Sequence, residues 1–278
     1  MLGRRSIGSI ALAAALALTL AAAHAFDDAK YPNWKGQWTR FPGGGGWDPT
    51  KPSGPGQQAP LTDEYAAIMQ AGIASQRSGG QGVNSTPNCL PPGMPRAMIV
   101  YEPMEVVVTP ELTYILIEFM HQIRRVYTDG RDWPEQIEPS FAGYSIGRWE
   151  DSDGDGRYDV LAIETRGMKG PRSFDGTVPL HKDNQTIVKE RIYLDKADPN
   201  VLHDEVTTID SALTRPWTVT RNYRRAKTPQ WFEYICAEDN HHVFLGKENY
   251  FVSEDGYLMP TRKDQPAPDL KFFSQSQK

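Results

Sequence analysis

The chain is poor in cysteine, in excess basic charge and in long apolar runs. Two cysteines among 278 residues exclude a Cys₄ zinc site and a disulfide-dense fold. The 30 basic residues are scattered and outnumbered by 35 acidic ones, whereas a nucleic-acid-binding protein carries a basic stripe. After residue 25 no apolar run reaches the roughly 18 residues that cross a bilayer. The hydrophobic fraction of 39% still fills a core, so we expect a folded, acidic, globular protein.

The first 25 residues are typical of a secretory signal. Arg4 and Arg5 precede an apolar stretch at 10–23, and Ala-His-Ala at 23–25 provides a cleavage site. The apolar stretch is short for a membrane anchor. We therefore expect cleavage near Ala25 and a periplasmic or secreted protein, by the general secretory route or by twin-arginine export.

Export gives the two cysteines a role. In an oxidising compartment Cys89 and Cys236 are the only partners for an intramolecular bridge. We therefore predict a Cys89–Cys236 disulfide, and two free thiols are the alternative.

The N-terminal third is largely irregular. Residues 40–60 are so rich in glycine and proline that they cannot form a helix or a central strand. Apolar residues at helical spacing then predict one helix over 63–75, with Thr62 as its N-cap. A second irregular stretch follows at 79–96. These segments predict long arms around a single helix.

From Met104 onward the pattern is that of β-strands joined by short turns, without alternating helices. Together with one early strand, the predicted strands are Trp34–Thr39, Met104–Thr109, Thr113–Tyr127, Tyr144–Glu150, Asp159–Arg166, Thr186–Leu194, His203–Ile209, Trp217–Tyr223 and Trp231–Cys236. We predict an all-β fold, an antiparallel up-and-down, lipocalin-like β-barrel, because closure removes exposed sheet edges. The predicted organisation is a signal peptide (1–25), an N-terminal strand, arm and helix (26–96), and a barrel body with a C-terminal arm (97–278), the last two forming one domain.

An acidic loop lies between two of these strands. Asp151, Asp153, Asp155 and Asp159 occupy positions 1, 3, 5 and 9 of a loop that has glycine at position 6. Oxygen ligands at this spacing suit Ca²⁺, but the glutamate that an EF-hand needs at position 12 is Ala162. The loop instead resembles the calcium loops of β-hairpins in integrin-type propellers. We predict a structural Ca²⁺ site here, and a solvated acidic turn is the alternative. No organic cofactor is indicated.

Two other motifs point to chemistry that the context disfavours. Gly143 to Gly147 matches the G-x-S-x-G elbow of hydrolases, with Ser145 and either His181 or His203 as its residues, but that motif needs a strand followed by a helix. A catalytic zinc site needs several histidines facing one point, whereas His241-His242 are adjacent and point apart on a strand.

Polar residues in the predicted long strand suggest a site inside the barrel. Alternation places His121 and Arg125 on the same face as Ile115 and Phe119, which we expect to point inward. The remaining candidate catalytic residues are Glu118, Glu164, Glu190 and His181. Buried ionisable groups are costly unless they are paired or functional, so this cluster would serve acid–base chemistry, with Arg125 stabilising negative charge. A bend near Met120 that returns both cations to solvent is the alternative.

Four motifs carry a resemblance to known proteins. They are Cys-Leu-Pro-Pro-Gly-Met-Pro at 89–95, Thr-Asp-Gly-Arg-Asp-Trp-Pro at 128–134, Gly-Tyr-Ser-Ile-Gly-Arg-Trp at 143–149 and Arg-Pro-Trp-Thr-Val at 215–219. Over residues 80–240 the chain resembles a family of exported, lipocalin-like proteobacterial and acidobacterial proteins of unassigned function. The resemblance implies a lipocalin-like barrel and brings no reaction with it.

Three functions follow from these predictions. The first is a periplasmic barrel that binds a small, largely apolar molecule, because a barrel of about eight strands holds one small ligand. The second is a non-hydrolytic acid–base enzyme, a lyase, isomerase or hydratase, in the same cavity. The third is an envelope structural protein whose arms bind a partner. The expected partner is a small molecule rather than a nucleic acid, and the mature protein is expected to have no membrane span.

Overall fold

The computed structural model describes residues 27–41, 57–236, 241–245, 248–253 and 255–268. The predicted signal peptide and most of the glycine- and proline-rich arm lie outside these residues. Within the described part of the chain, no helix is both long enough and apolar enough to cross a membrane.

Nine strands form a closed barrel in which neighbours in the chain are neighbours in the sheet. The strands are β1 (Gln37–Arg40), β2 (Met104–Val108), β3 (Leu112–Ile117), β4 (Gln122–Tyr127), β5 (Tyr144–Glu150), β6 (Val160–Arg166), β7 (Ile187–Leu194), β8 (Val201–Ile209) and β9 (Trp217–Arg225). β1 pairs with both β2 and β9 and closes the barrel. The predicted all-β, lipocalin-like barrel is confirmed.

One seam departs from the predicted antiparallel up-and-down order, because β4 and β5 are parallel. After β4 the chain crosses back through residues 128–143 and starts β5 from the same end of the barrel as β4. Gly147 of β5 lies at this seam, and a Cβ there would stand 2.6 Å from Cγ1 of Val126. The missing side chain therefore allows the two parallel strands to lie close together.

The two ends of the barrel differ. At the helix end lie the helix α1 (Asp63–Arg77), the β6–β7 loop and the β8–β9 turn, and Leu61 bridges to Leu213. The helix begins as predicted, since the hydroxyl of Thr62 accepts a hydrogen bond from the Tyr65 amide. At the hairpin end lie the acidic loop between β5 and β6 and the β7–β8 turn. The Tyr65 ring of α1 packs against His181 of the β6–β7 loop, with ring centroids 5.5 Å apart.

The predicted long strand Thr113–Tyr127 is two strands. The chain turns at Phe119–His121, where Met120 and His121 have φ of 55° and 48°. β3 and β4 then pair antiparallel from Ile117 opposite Gln122 to Leu112 opposite Tyr127. Left-handed backbone at two non-glycine residues is uncommon. The sequence pattern therefore gave no sign of this turn, and the alternation of side chains was extended across it.

The predicted strand Trp231–Cys236 is also wrong. Residues 226–236, which we call the strap, run from β9 across β1 to the β3–β4 turn, and residues 226–235 form neither helix nor strand. The side chain of Gln37 bonds the backbone of Gln230 twice, and the Glu118 carboxylate accepts from the Phe232 amide. These side chains satisfy backbone groups that a sheet partner would otherwise satisfy.

The predicted disulfide is confirmed and ends the strap. Cys89 and Cys236 are bonded, with their Cα atoms 5.6 Å apart. The bridge fixes the strap to the irregular segment before β2. Beyond it, β10 (His242–Leu245), β11 (Glu248–Val252) and β12 (Leu258–Pro260) form a separate three-stranded antiparallel sheet where the sequence predicted only an arm.

Candidate functional site

An ion pair crosses the inside of the barrel. Arg124 projects inward from β4 and meets Glu190 of β7, with Nη1–Oε1 and Nη2–Oε2 distances of 2.9 and 2.6 Å. Both side chains are fully removed from solvent. The guanidinium and carboxylate therefore make a bidentate, charge-assisted contact between strands that are three seams apart in the sheet.

Two hydroxyl groups extend this contact along the wall. Arg124 Nη2 lies 3.4 Å from the hydroxyl of Thr165 on β6, and that hydroxyl lies 2.8 Å from the hydroxyl of Ser145 on β5. Ser145 therefore sits inside a strand and beside a threonine. The strand continues through Arg148, so the strand-to-helix elbow of the hydrolase motif is not formed.

A second carboxyl group lies beside this pair. Asp204 of β8 is fully buried on the inner face, and neither of its oxygens has a hydrogen-bond partner in the described part of the chain. Burial raises its pKa well above the usual aspartate value, and the charge of Glu190 raises it further, against Arg124 and Arg221. We therefore expect the folded protein to hold Asp204 as a neutral acid over part of the pH range in which a free aspartate is ionised.

The neighbouring strand β9 adds a cation and a phenol. Arg221 is directly opposite Asp204 in the ladder, and burial lowers the pKa of its guanidinium. Tyr223 is buried, its hydroxyl donates to the Met98 carbonyl, and burial raises its pKa. We call Arg124, Ser145, Thr165, Glu190, Asp204 and Arg221 the polar layer.

Apolar side chains enclose the polar layer on both sides. Toward the hairpin end the buried inner residues include Trp149, Leu161, Ile192 and Leu202, and toward the helix end they include Ile117, Val206, Trp217 and Val219. Phe174 of the β6–β7 loop packs against Trp217 with ring centroids 4.4 Å apart. The interior is thus apolar at both ends and charged in the middle.

Further inner-face polar atoms lack a partner within the described residues. They are Nε of Arg124, Nε2 of Gln122, and the hydroxyls of Thr113 and Thr208. Buried polar atoms in native proteins are bonded to protein, water or a ligand. The inner surface therefore offers several groups with which a polar guest could bond.

The expectation that His121 and Arg125 face the interior is wrong. Both side chains are exposed, because the turn at Met120 shifts the alternation of β4 by one residue. The inward cation is Arg124, which the sequence placed on the opposite face. His121 instead receives a hydrogen bond on Nε2 from the Tyr234 amide of the strap, at 3.4 Å.

The other predicted catalytic residues are dispersed. Glu190 lies in the polar layer. Glu118 is buried at the β3–β4 turn, where it binds the strap. Glu164 is on the outer face, in ion pairs with Arg166 and Lys189, and His181 is in the β6–β7 loop beside Asp183. The structure does not bring them into one cluster.

Three of the four predicted metal ligands converge. Carboxylate oxygens of Asp151, Asp153 and Asp155 lie within 4.8 Å of one another, and all three side chains are exposed. Asp151 accepts from the Gly154, Asp155 and Gly156 amides, which shapes the loop. Asp159 is not part of this group, because its carboxylate is bonded to the backbone and hydroxyl of Ser152. The group could hold a metal ion.

Grooves also mark the outer surface. One of about 440 Å³ is lined by outward residues of β5–β8, among them Arg148, Glu164, Lys189 and Arg191. Another, of about 710 Å³, lies between the acidic loop and the β7–β8 turn. In the first groove Glu164 pairs with Lys189, and Arg191 pairs with nearby Glu150. These charges therefore need no ligand for neutralisation.

Sequence reasoning missed Arg124, Asp204 and Arg221. Asp204 and Arg221 lie on strands that were predicted, and alternation with buried Val206 and Val219 would have turned both inward. Arg124 could be found only with knowledge of the turn at Met120. Comparison of the chain with protein families and with curated proteins finds no match.

The buried ion pair predicts a large and asymmetric effect on stability. Arg124→Met should lower the free energy of unfolding by about 3–5 kcal/mol, because it leaves Glu190 as an uncompensated buried charge. The double variant Arg124→Met/Glu190→Leu should recover most of this loss. Urea denaturation of the wild type, both single variants and the double variant measures the coupling.

The matched control is Lys189→Met, which breaks the outer-face pair with Glu164 in the same strand as Glu190. An exposed pair contributes at most about 1 kcal/mol, so this variant should remain close to wild type. A double variant no more stable than Arg124→Met would contradict the interpretation.

The raised pKa of Asp204 predicts a specific pH dependence of stability. Above the usual aspartate pKa of 3.8 the folded protein binds more protons at this site than the unfolded chain, so stability falls as pH rises toward the folded-state pKa. Asp204→Asn should remove this fall, and Glu205→Gln, on the outer face, should retain it. Urea denaturation across roughly pH 4 to 9 measures the difference. Parallel curves for wild type and Asp204→Asn would contradict the assignment.

Proposed function

We propose that this is an exported binding protein that holds one small molecule inside its barrel. The observation that carries the proposal is the fully buried Asp204 carboxyl, which faces the interior with neither oxygen bonded within the described residues. A barrel of this strand number has room for side chains or for one small ligand. An interior that served only as a core has no need of a buried carboxyl group, because well-packed apolar residues in place of buried charges often cost no stability.

The lining sets the character of the molecule. Apolar side chains at both ends of the interior favour a molecule that is largely apolar, and the polar layer between them favours one polar group near its middle. The outer groove along β5–β8 supports a ligand less well, since its Glu164 and Lys189 are already paired with each other and its Arg191 is paired with Glu150. The ligand is thus better described as apolar with a polar group than as wholly apolar.

Export is the cellular part of this proposal. A disulfide between Cys89 and Cys236 is typical of an oxidising compartment, and the first 25 residues have the pattern of a cleaved signal. We therefore propose a periplasmic or secreted location. The disulfide supports this location independently of the signal pattern, because both of its cysteines lie outside the first 25 residues.

An acid–base enzyme is the second candidate. One observation favours it: two buried carboxyl groups, Glu190 and Asp204, act on each other electrostatically while an arginine holds only one of them. Such an arrangement favours the protonated form of Asp204 beside a carboxylate that is paired with arginine, and acid–base catalysis uses carboxyl groups in two such different environments. A binding protein would release its bound molecule unchanged, whereas an enzyme would convert it to a product.

The binding proposal is tested by native mass spectrometry of protein purified from the periplasm. We expect an additional mass of one small molecule that is lost on denaturation. Val206→Trp, which would fill the interior from β8, should abolish it, while Thr207→Trp on the outer face of the same strand should not. Protein without an additional mass, and with no uptake of apolar fluorescent probes, would overturn the proposal.

We also propose that the acidic loop binds a structural Ca²⁺ ion. Three exposed carboxylates within 4.8 Å of one another supply the oxygen ligands that this ion prefers. An ion there would offset the repulsion among them. It would stabilise the β5–β6 hairpin at the end of the barrel that lies away from α1.

The calcium proposal predicts a chelator effect. EGTA should lower the melting temperature, because Ca²⁺ binds the folded loop and not the unfolded chain. Asp153→Ala should abolish this response, whereas Asp198→Ala, in the β7–β8 turn at the same end of the barrel, should keep it. Differential scanning calorimetry gives the comparison. Equal melting curves for the wild type in EGTA and in excess Ca²⁺ would contradict the site.

A further inference from the structure

Among the buried charged and titratable residues on the inner face, Asp204 differs in its bonding. Glu190 uses both carboxylate oxygens on Arg124, and the Tyr223 hydroxyl donates to Met98. Asp204 has neither kind of contact within the described residues. A buried carboxyl group with no bond costs free energy that the other residues of the polar layer avoid.

The groups around Asp204 decide what it can bind. Glu190 of β7 brings a negative charge, Arg124 of β4 and Arg221 of β9 bring positive charges, Tyr223 of β9 is a neutral phenol, and Glu205 lies on the outer face of the same strand. Glu190 and burial both favour the protonated acid. A protonated carboxyl donates a hydrogen bond, so its partner is an acceptor.

The charges around Asp204 limit the kind of ligand that can supply the hydrogen-bond acceptor. A cationic ligand would meet Arg124 and Arg221, and an anionic ligand would add a second negative charge beside Glu190 in a region where desolvated charge is costly. A neutral carbonyl oxygen avoids both penalties. It accepts one hydrogen bond and places no net charge between the apolar ends of the interior.

We infer that Asp204, in its protonated form, donates a hydrogen bond to the carbonyl oxygen of a neutral, largely apolar ligand. This inference rests on the proposed binding function and adds the chemical class of the ligand, a ketone, ester or amide. Asp204 would then supply selectivity for a carbonyl group, since a ligand without one leaves the buried donor unbonded.

The test uses two fluorescent probes that differ in one group. The first is propionyl-dimethylaminonaphthalene, a neutral apolar ketone whose emission moves to longer wavelength when its carbonyl accepts a hydrogen bond. The second is dimethylaminonaphthalene, which lacks the ketone. Binding of each probe is titrated on the intact, disulfide-bonded protein by fluorescence, for the wild type, Asp204→Leu, Asp204→Asn and the outer-face control Glu205→Gln.

We expect Asp204→Leu to weaken binding of the ketone by about tenfold, the effect of one lost buried hydrogen bond, and to move its emission to shorter wavelength. Asp204→Asn keeps an N–H donor in the same place and should retain most of the affinity, as should Glu205→Gln. The probe without the ketone should bind the wild type and Asp204→Leu equally. Circular dichroism confirms that each variant is folded.

The outcomes separate this inference from the function on which it rests. If both probes bind and Asp204→Leu changes neither the affinity nor the emission of the ketone, the role of Asp204 is overturned and the binding barrel stands. If neither probe binds the wild type, the inference about Asp204 is overturned, and the binding function falls with it when the purified protein also carries no additional mass. Ketone binding to the wild type that strengthens as pH rises past neutrality would also overturn it, because ionisation of Asp204 removes the donated proton.

Discussion

The arrangement of polar groups inside the barrel depends on the contact between Arg124 and Glu190. It joins β4 to β7 across the interior, and it is possible only because the chain reverses at Met120 and turns Arg124 inward. Removing one partner of such a buried pair leaves an uncompensated charge, whereas well-packed apolar residues in place of both often cost no stability. The hydroxyls of Thr165 and Ser145, and the unpaired Asp204, are arranged around it. Hydrogen bonds therefore join Arg124 to Glu190, to Thr165 and, through Thr165, to Ser145, whereas the Asp204 carboxyl lies beside them without one within the described residues.

The division of the interior into apolar ends and a charged middle links architecture to function. Aromatic and aliphatic side chains close both ends of the barrel, so the low-dielectric surroundings strengthen each electrostatic contact between them. The same surroundings raise the pKa of Asp204 and make its protonated form a donor. On the outer face, by contrast, Glu164 and Lys189 neutralise each other in contact with water, where such pairs contribute little.

The surface elements are attached independently of this interior. The strap, residues 226–236, is held by Gln37, by Glu118 and by the disulfide at Cys236. The acidic loop lies at the hairpin end, and its described hydrogen bonds include none to the polar layer. The disulfide and a metal ion bound in this loop would thus stabilise two different surface elements.

The sequence by itself determined the barrel, the start of α1 at Thr62, the single possible disulfide and the converging aspartates of the acidic loop. Each of these depends on local pattern or on counting. Which polar residues face inward was decided by tertiary structure. Strict alternation predicted that His121 and Arg125 face the interior. The turn at Met120 and His121, both with left-handed backbone, shifts the alternation by one residue, and such a shift exchanges the two faces of a strand. The parallel seam and the pairing of Arg124 with Glu190 join residues distant in the chain, and no local pattern encodes which strands meet across a closed barrel.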